Sequence, residues 1–182
     1  MAELKSAKVR REKISCLSWQ EFQADTLFQI ERPNARVQTD YESGDIPFIA
    51  SGSENNGVQK YCSIRNNESL DKGNCITVSP VDGYAFYQEK DFLGRGGAGS
   101  SIIILRNKCL NKYNALFICS VIREICSKWS YNDMGSVKSI ASEKIKLPVD
   151  SSGNPDFAFM ESYIRKMLAK QQKELKVMFA VA

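Results

Sequence analysis

The chain has 182 residues, 43% of them hydrophobic and 25% charged, a balance that lets one domain bury its own core and argues against wholesale disorder. It contains no histidine, which excludes Ser-His-Asp and Cys-His catalysis and every zinc site that needs an imidazole. Lysine and arginine (25) outnumber aspartate and glutamate (21) for a net charge of +4, a mild excess compatible with nucleic acid and not sufficient to establish it. The six cysteines (Cys16, Cys62, Cys75, Cys109, Cys119 and Cys126) include no C-x-x-C pair, so neither a zinc ribbon nor a redox pair, nor any other metal site, is expected. No apolar run approaches the ~20 residues of a membrane span. Residues 1–5 turn charged at once, unlike a signal peptide. A cytoplasmic protein with reduced thiols and no membrane partner is therefore expected.

In chain order, residues 1–13 hold Lys5, Lys8, Arg10, Arg11 and Lys13 against Glu3 and Glu12, a basic leader expected to be solvated. A coherent segment begins near Trp19, with Phe22, Leu27, Phe28 and Ile30 as apolar anchors before Pro33 breaks the pattern. From there to about residue 107, glycine- and asparagine-rich punctuation alternates with β-branched and aromatic runs at 46–49, 75–78, 84–87 and 102–105. Asn56-Gly57 and Asp82-Gly83 are tight-turn dipeptides whose central positions accept positive φ. This stretch predicts an irregular, mostly antiparallel sheet.

The period changes at 111–126, where Ala115, Ile118, Cys119, Ile122, Ile125 and Cys126 recur at three and four residues. That spacing predicts an amphipathic helix capped at Asn111 or Asn114. A polar loop over 127–139, a further edge over 143–150 and a turn at 151–155 follow. Asn154 or Asp156 then caps a helix running close to the C-terminus. Its seam is Phe157, Met160, Ile164, Met167, Leu168, Gln171, Leu175 and Met178, heptad-like, with Arg165, Lys166, Lys170, Lys173 and Lys176 on the other face. A helix leaving its domain has no obvious cover for such a seam, so a partner helix is expected. The fold class is α+β: an irregular sheet with packed helices over 14–153, then a coiled-coil-type helix over 154–182.

Three motif-like strings carry little chemistry. Residues 94–99, "GRGGAG", satisfy G-x-G-x-x-G, yet a β-branched run follows where a phosphate-binding helix should open. "FLGRG" (92–96) with "NPDF" (154–157) resembles the S-adenosylmethionine and base-gripping motifs of amino-methyltransferases, but Asp156 replaces the expected second proline. Pro155-Asp156 with Glu174-x-Lys176 nominally fits a nuclease pattern, although those residues lie ~27 Å apart along one helix. The loop Lys128-Trp129-Ser130-Tyr131-Asn132 differs in kind, combining a cation, aromatics and amides that contact phosphates and base edges. The same composition equally suits a loop pinned by a half-buried tryptophan. The turn at 51–57, with Asn55 and Asn56, shares that ambiguity.

The order of these pieces is specific. "GDIPFIASGSENNGVQKY", "ITVSPVDGYAFYQEKDFLGRGGAGSSI", "LNKYNALFICSVIRE", "KWSYNDMG", "EKIKLPVD" and "GNPDFAFMESYIRKM" follow one another across residues 13–178. The series resembles the target recognition domain of specificity subunits from type I restriction–modification systems and the related type IIB enzymes. The resemblance implies a non-catalytic module without cofactor. It would read one half of a bipartite double-stranded DNA target, while its helix docks methyltransferase and restriction subunits. Full subunits of that kind usually carry two such domains and two long helices. One of each implies a half-subunit that forms a homodimer, or a fragment. Expected DNA contacts are Asn55, Asn56, Trp129, Tyr131 and Asn132, with Arg95, Lys128 and Lys138 as cations. The rival expectation is a small S-adenosylmethionine-dependent methyltransferase, or another nucleotide-binding enzyme, built on residues 94–99.

Overall fold

A computed structural model describes residues 17–180; the basic leader expected at 1–13 lies outside them. Among the described residues nine strands form three sheets. Strand β1 (Trp19–Gln23) pairs antiparallel with β9 (Lys144–Pro148), bringing the two ends of the domain together. The second sheet has the order β2 (Gln29–Glu31), β8 (Ile103–Arg106), β5 (Cys75–Val78), β6 (Ala85–Gln88), all antiparallel. In the third, β3 (Ser43–Ile49) lies between β4 (Val58–Cys62), its antiparallel partner, and the short β7 (Leu93–Gly94), which runs parallel to it. The helices are α1 (Ala24–Leu27), α2 (Lys112–Cys126), α3 (Val137–Ala141) and α4 (Phe157–Ala180). The runs expected at 75–78, 84–87 and 102–105 thus fall on β5, β6 and β8 within a residue. No helix among the described residues is long and apolar enough to cross a membrane.

The uninterrupted apolar runs of β5 and β8 follow from burial on both faces. Ile76, Val78, Ile103 and Leu105 point into the main core with Ile118, Ile122, Cys126, Ile140, Leu147 and Met160. Their neighbours Cys75, Ile102 and Ile104 point the other way, onto Ile49 and Phe92, as period-two alternation dictates. Burial pushes the Cys75, Cys119 and Cys126 thiols up to about 12. These cysteines behave as small apolar residues, not nucleophiles.

Both long helices start on side-chain caps. Asn111 Oδ1 accepts from the amides of Tyr113 and Asn114, while Asn114 Oδ1 accepts from the Asn111 amide at 2.8 Å. Of the two caps expected for α4, Asp156 serves: its carboxylate accepts from the Phe159 amide at 2.8 Å. The seam of α4 divides. Met160 is fully buried against α2, and Phe157, Ile164 and Met167 are half-buried. Residues 168–179 are all exposed. The proximal stripe therefore does find cover on its own domain, contrary to expectation, because α2 lies alongside it. Tyr163 meets Phe117 edge-on with centroids 5.8 Å apart, and the Asn111 amide donates to Glu161 at 2.7 Å.

A single buried arginine joins the loop after β2 to the third sheet. Arg36 is 3% exposed. It donates to Glu68 (2.6 Å), to the Ser69 carbonyl (2.7 Å) and, through one nitrogen, to Asp71 (2.5 Å) and the Gly94 carbonyl (3.3 Å). Tyr41 donates to Glu68 at 2.7 Å, and the Gly94 amide donates to Asp71 at 2.9 Å. Burial holds the Asp71 carboxyl above its ordinary range despite these donors. Desolvation also acts to raise Glu68, but hydrogen bonds from Tyr41 and Arg36 outweigh it and leave that carboxyl lowered. Removing one partner of a buried pair strands the others. Arg36→Leu is expected to destabilise the domain by about 3–5 kcal/mol, read as a lower denaturant midpoint at unchanged slope. A loss below ~1 kcal/mol would show that water substitutes for the guanidinium.

Candidate nucleic-acid interface

Strand β6 is one edge of the four-stranded sheet, with β2 at the other, and both loops singled out from the sequence are tied to β6 or to the turn preceding it. At its C-terminal end lies the turn 55–57, where Asn55, Asn56 and Gly57 all take positive φ. The Asn56 amide donates to the Tyr87 carbonyl and to Gln88 Oε1, both at 3.1 Å, and Gln88 returns a bond to the Asn56 carbonyl at 3.0 Å. These bonds occupy the open edge that β6 would otherwise present. Asn55 donates to the Val58 carbonyl at 3.1 Å. Both asparagines are exposed, but the amide of Asn56 is spent on holding the turn.

At the other end, Gly83 (φ 70°) lets the β5–β6 turn press against α2: a Cβ there would stand 2.2 Å from the Cys126 carbonyl oxygen. The Gly135 amide donates to the Pro80 carbonyl at 2.8 Å, anchoring the loop after α2 to the same turn. Within that loop the Ser130 and Asp133 backbones exchange two hydrogen bonds, of 3.1 and 3.2 Å. Tyr131 and Asn132 occupy the tip so closed. Tyr131 is 76% exposed and Asn132 is also exposed. Neither side chain contributes a hydrogen bond to the fold among the described residues.

One expected contact is corrected. Trp129 is only 7% exposed and belongs to the main core. Its ring lies against Gly135, where a Cβ would come within 2.3 Å of the indole, so it is a packing residue and not a groove-facing one. Lys128 reaches back to Glu143 at 2.7 Å. That bond raises its pKa and makes it a paired cation, not a free one. Lys138, on α3, is exposed and forms no ion pair among the described residues. Arg95 follows β7, where its amide donates to the Ile49 carbonyl at 2.7 Å; one of its terminal nitrogens is buried without an acceptor among the described residues.

Sequence reasoning missed the residues between the turns. The Arg123 guanidinium lies 3.9 Å over the Tyr84 ring, and Tyr84 and Phe86 stand 6.2 Å apart. Both rings are half-buried. The signal was present in "GYAFYQ", whose alternation puts Tyr84 and Phe86 on one side and Ala85 and Tyr87 on the other. Spanning ~13 Å, β6 thus carries an aromatic pair between two polar turns.

Residues 94–99 form no phosphate cradle. A Cβ on Gly94 would meet Pro33 at 2.8 Å, and one on Gly96 would meet the Asn34 carbonyl oxygen at 2.0 Å. The chain continues into β8, not a helix. Gly94 and Gly96 must be small because residues 33–34 lie across them, whereas Gly99 has open space around it. Gly96→Ala is accordingly expected to lower thermal stability by the ~1–3 kcal/mol typical of overpacking, read from the melting temperature. An unchanged melt would contradict this close approach.

The chain matches the family model described as the type I restriction modification DNA specificity domain over residues 17–177, and it belongs to that family. Among curated proteins it is 30% identical over 155 residues to the type II restriction enzyme specificity subunit S.BcgI of Heyndrickxia coagulans, an alignment covering 83% of this chain and 44% of that protein. Two solved structures share the fold. The type I restriction–modification S subunit of M. genitalium superposes with a TM-score of 0.55 at 14% identity, covering 96% of this chain and 46% of that one. The HsdS subunit of Thermoanaerobacter tengcongensis gives 0.53 at 17% identity, with 90% and 40% covered. The chain therefore spans less than half the length of each of these proteins.

Proposed function

We propose that residues 14–153 read one half of a bipartite double-stranded DNA target in a restriction–modification system, without catalysis of their own. Residues 154–182 serve as the spacer that pairs with a second copy and docks methyltransferase and restriction subunits in the cytoplasm. The observation that carries the recognition role is the turn at 130–133. It is closed by backbone bonds and leaves Tyr131 and Asn132 unspent on a family scaffold for DNA specificity. An amide and an aromatic ring held on a rigid tip can meet base edges in a groove. Tyr84, Phe86 and Arg123 extend that surface along β6, and Lys138, Arg95 and Arg123 supply cations for phosphates. The pairing role is supported by the exposed stripe Leu168, Leu175 and Met178 on α4, at 36%, 51% and 69% exposure.

In the complex assembled with its methyltransferase, Asn132→Ala and Tyr131→Ala are expected to change which sites are modified, each contact being worth ~1–3 kcal/mol of base discrimination. Lys138→Ala should weaken all sites alike and reduce the salt slope by about one counterion. Sequencing of methylated sites and DNA binding between ~50 and ~200 mM salt measure the two effects. Unchanged site preference across Tyr131 and Asn132 variants would move recognition off this turn. Binding that ignored salt would remove the phosphate contacts. A methyltransferase reading finds no support in residues 94–99. Titration of the chain with radiolabelled S-adenosylmethionine is expected to show no saturable binding, and saturable binding would reinstate that reading.

A further inference from the structure

The stripe on α4 changes its surroundings midway. Met160, Ile164, Met167, Gln171, Leu175 and Met178 share one face at 3.6 residues per turn. The first three lie on α2, whereas Leu175 and Met178 face open solvent together with Val177 and Phe179, the last at 79% exposure. The cover that α2 gives is incomplete. A groove of about 410 Å³ remains between the two helices, lined by Trp19, Leu116, Phe117, Tyr163, Ile164 and Met167 among others, none of them charged. Leu116, on α2, is left 40% exposed at its side. One molecule therefore carries an uncharged apolar groove and, farther along the same helix, an exposed apolar tip.

We infer that the tip of a second copy's α4 fills this groove, in a register centred on Gln171. The inference rests on the proposed pairing of the C-terminal helices and assigns its register and extent. In an antiparallel pair with its two-fold axis at Gln171, positions equidistant from that residue oppose one another. Leu175 then faces Met167, Met178 faces Ile164, and Phe179 faces Tyr163, so the exposed tip of each copy arrives at the groove of the other. Lys176 lies on the far side of the helix from this stripe and stays in water. Gln171 meets its own copy, where two amides can pair across the axis and fix the register.

The groove also adds contact beyond that between the two helices. Leu116, Phe117 and Trp19 supply a second line of contact beside each tip, so the globular domain itself belongs to the interface. The chemistry of the groove also selects its occupant. Residues 1–16, with five cations, would bring charge to an uncharged surface, whereas residues 177–179 are all apolar.

The test uses the full chain with Cys16 and Cys109 replaced by serine, so that introduced thiols report alone. Under mild oxidation Gln171→Cys should yield a covalent dimer. Leu175→Cys should not, because its two copies would lie ~12 Å apart along the axis, beyond disulfide reach. Leu116→Lys in the groove and Phe179→Glu at the tip should each weaken the dimer about tenfold or more by sedimentation, equivalent to ~1.4 kcal/mol. Circular-dichroism melting of the dissociated chains should not change, since both sites are exposed. A dimer that cross-links through Leu175→Cys instead, or that ignores both Leu116→Lys and Phe179→Glu, would overturn the register or the groove contact while leaving helix pairing in place. A chain that remains monomeric at tens of micromolar would overturn the pairing as well.

Discussion

Arg36 is the constraint on which the irregular half of this domain depends. Residues 33–42, 68–71 and 92–96 contain one 3-10 turn and a two-residue strand between them, and beyond the bridge between Asp71 and Phe92 they share no regular ladder. A guanidinium offers donors in a fixed planar fork. Here that fork, carried by the first segment, reaches acceptors on both others: Glu68, Ser69 and Asp71 on one, and Gly94 on the other. Desolvating a charge so fully is expensive, and the arrangement is tolerable only because nearly every donor finds an oxygen. The close approach of residues 33–34 to Gly94 and Gly96 follows from the same anchoring, because the loop that carries Arg36 must lie across the glycines to bring its side chain in. What reads in the sequence as a nucleotide fingerprint is the footprint of a loop held down by an arginine two residues farther on.

With that half fixed, the four-stranded sheet can bury both faces and still leave one edge for use. β5 and β8 carry the core on either side, so their positions tolerate only apolar or small residues. β6, at the margin, is half-committed: Ala85 and Gln88 are buried, while Tyr84 and Phe86 reach partly into solvent. An open edge invites pairing with another chain. Asn56 occupies the Tyr87 carbonyl at one end, and the turn docked on Gly83 and Gly135 closes the approach at the other. The proposed recognition surface is thus built where the sheet stops, on turns that the sheet holds rigid.

Sequence legibility followed how local the determining physics was. Helix α2 and its Asn111 cap, the two-faced runs of β5 and β8, and the α4 stripe are set by spacing within a few residues, and they stand where expected. The pairing of β1 with β9 joins residues about 125 positions apart, and no local pattern announces it. The short strands β2, β4 and β7 exist because neighbours supply hydrogen bonds, not because their own residues favour extension. At the candidate site the residue types around 55–57 and 128–132 point to the two turns beside β6, but type alone does not say which side chains the fold consumes. Trp129 looks like a binding residue and is used internally, packed on Gly135, and Lys128 is paired at the surface with Glu143. Arg123 was invisible because its significance lies in standing over Tyr84, a tertiary fact.

That division between spent and unspent side chains gives the site its logic. Asn56 and Tyr131 are both exposed polar residues on turns beside β6, and they are not equivalent. Replacing Asn56 removes bonds to Tyr87 and Gln88 and releases a backbone held at positive φ. Its freedom to vary is limited by the fold. The turn at 130–133 is closed by its own main chain, and the loop is anchored through Trp129 packed on Gly135 and through the Gly135–Pro80 bond. None of these depends on what side chain stands at 131 or 132. A surface that must present different groups to different partners needs such positions, where chemistry can change while geometry is retained. By this criterion the fold leaves Tyr131 and Asn132 unspent, whereas it uses Asn56 and Trp129.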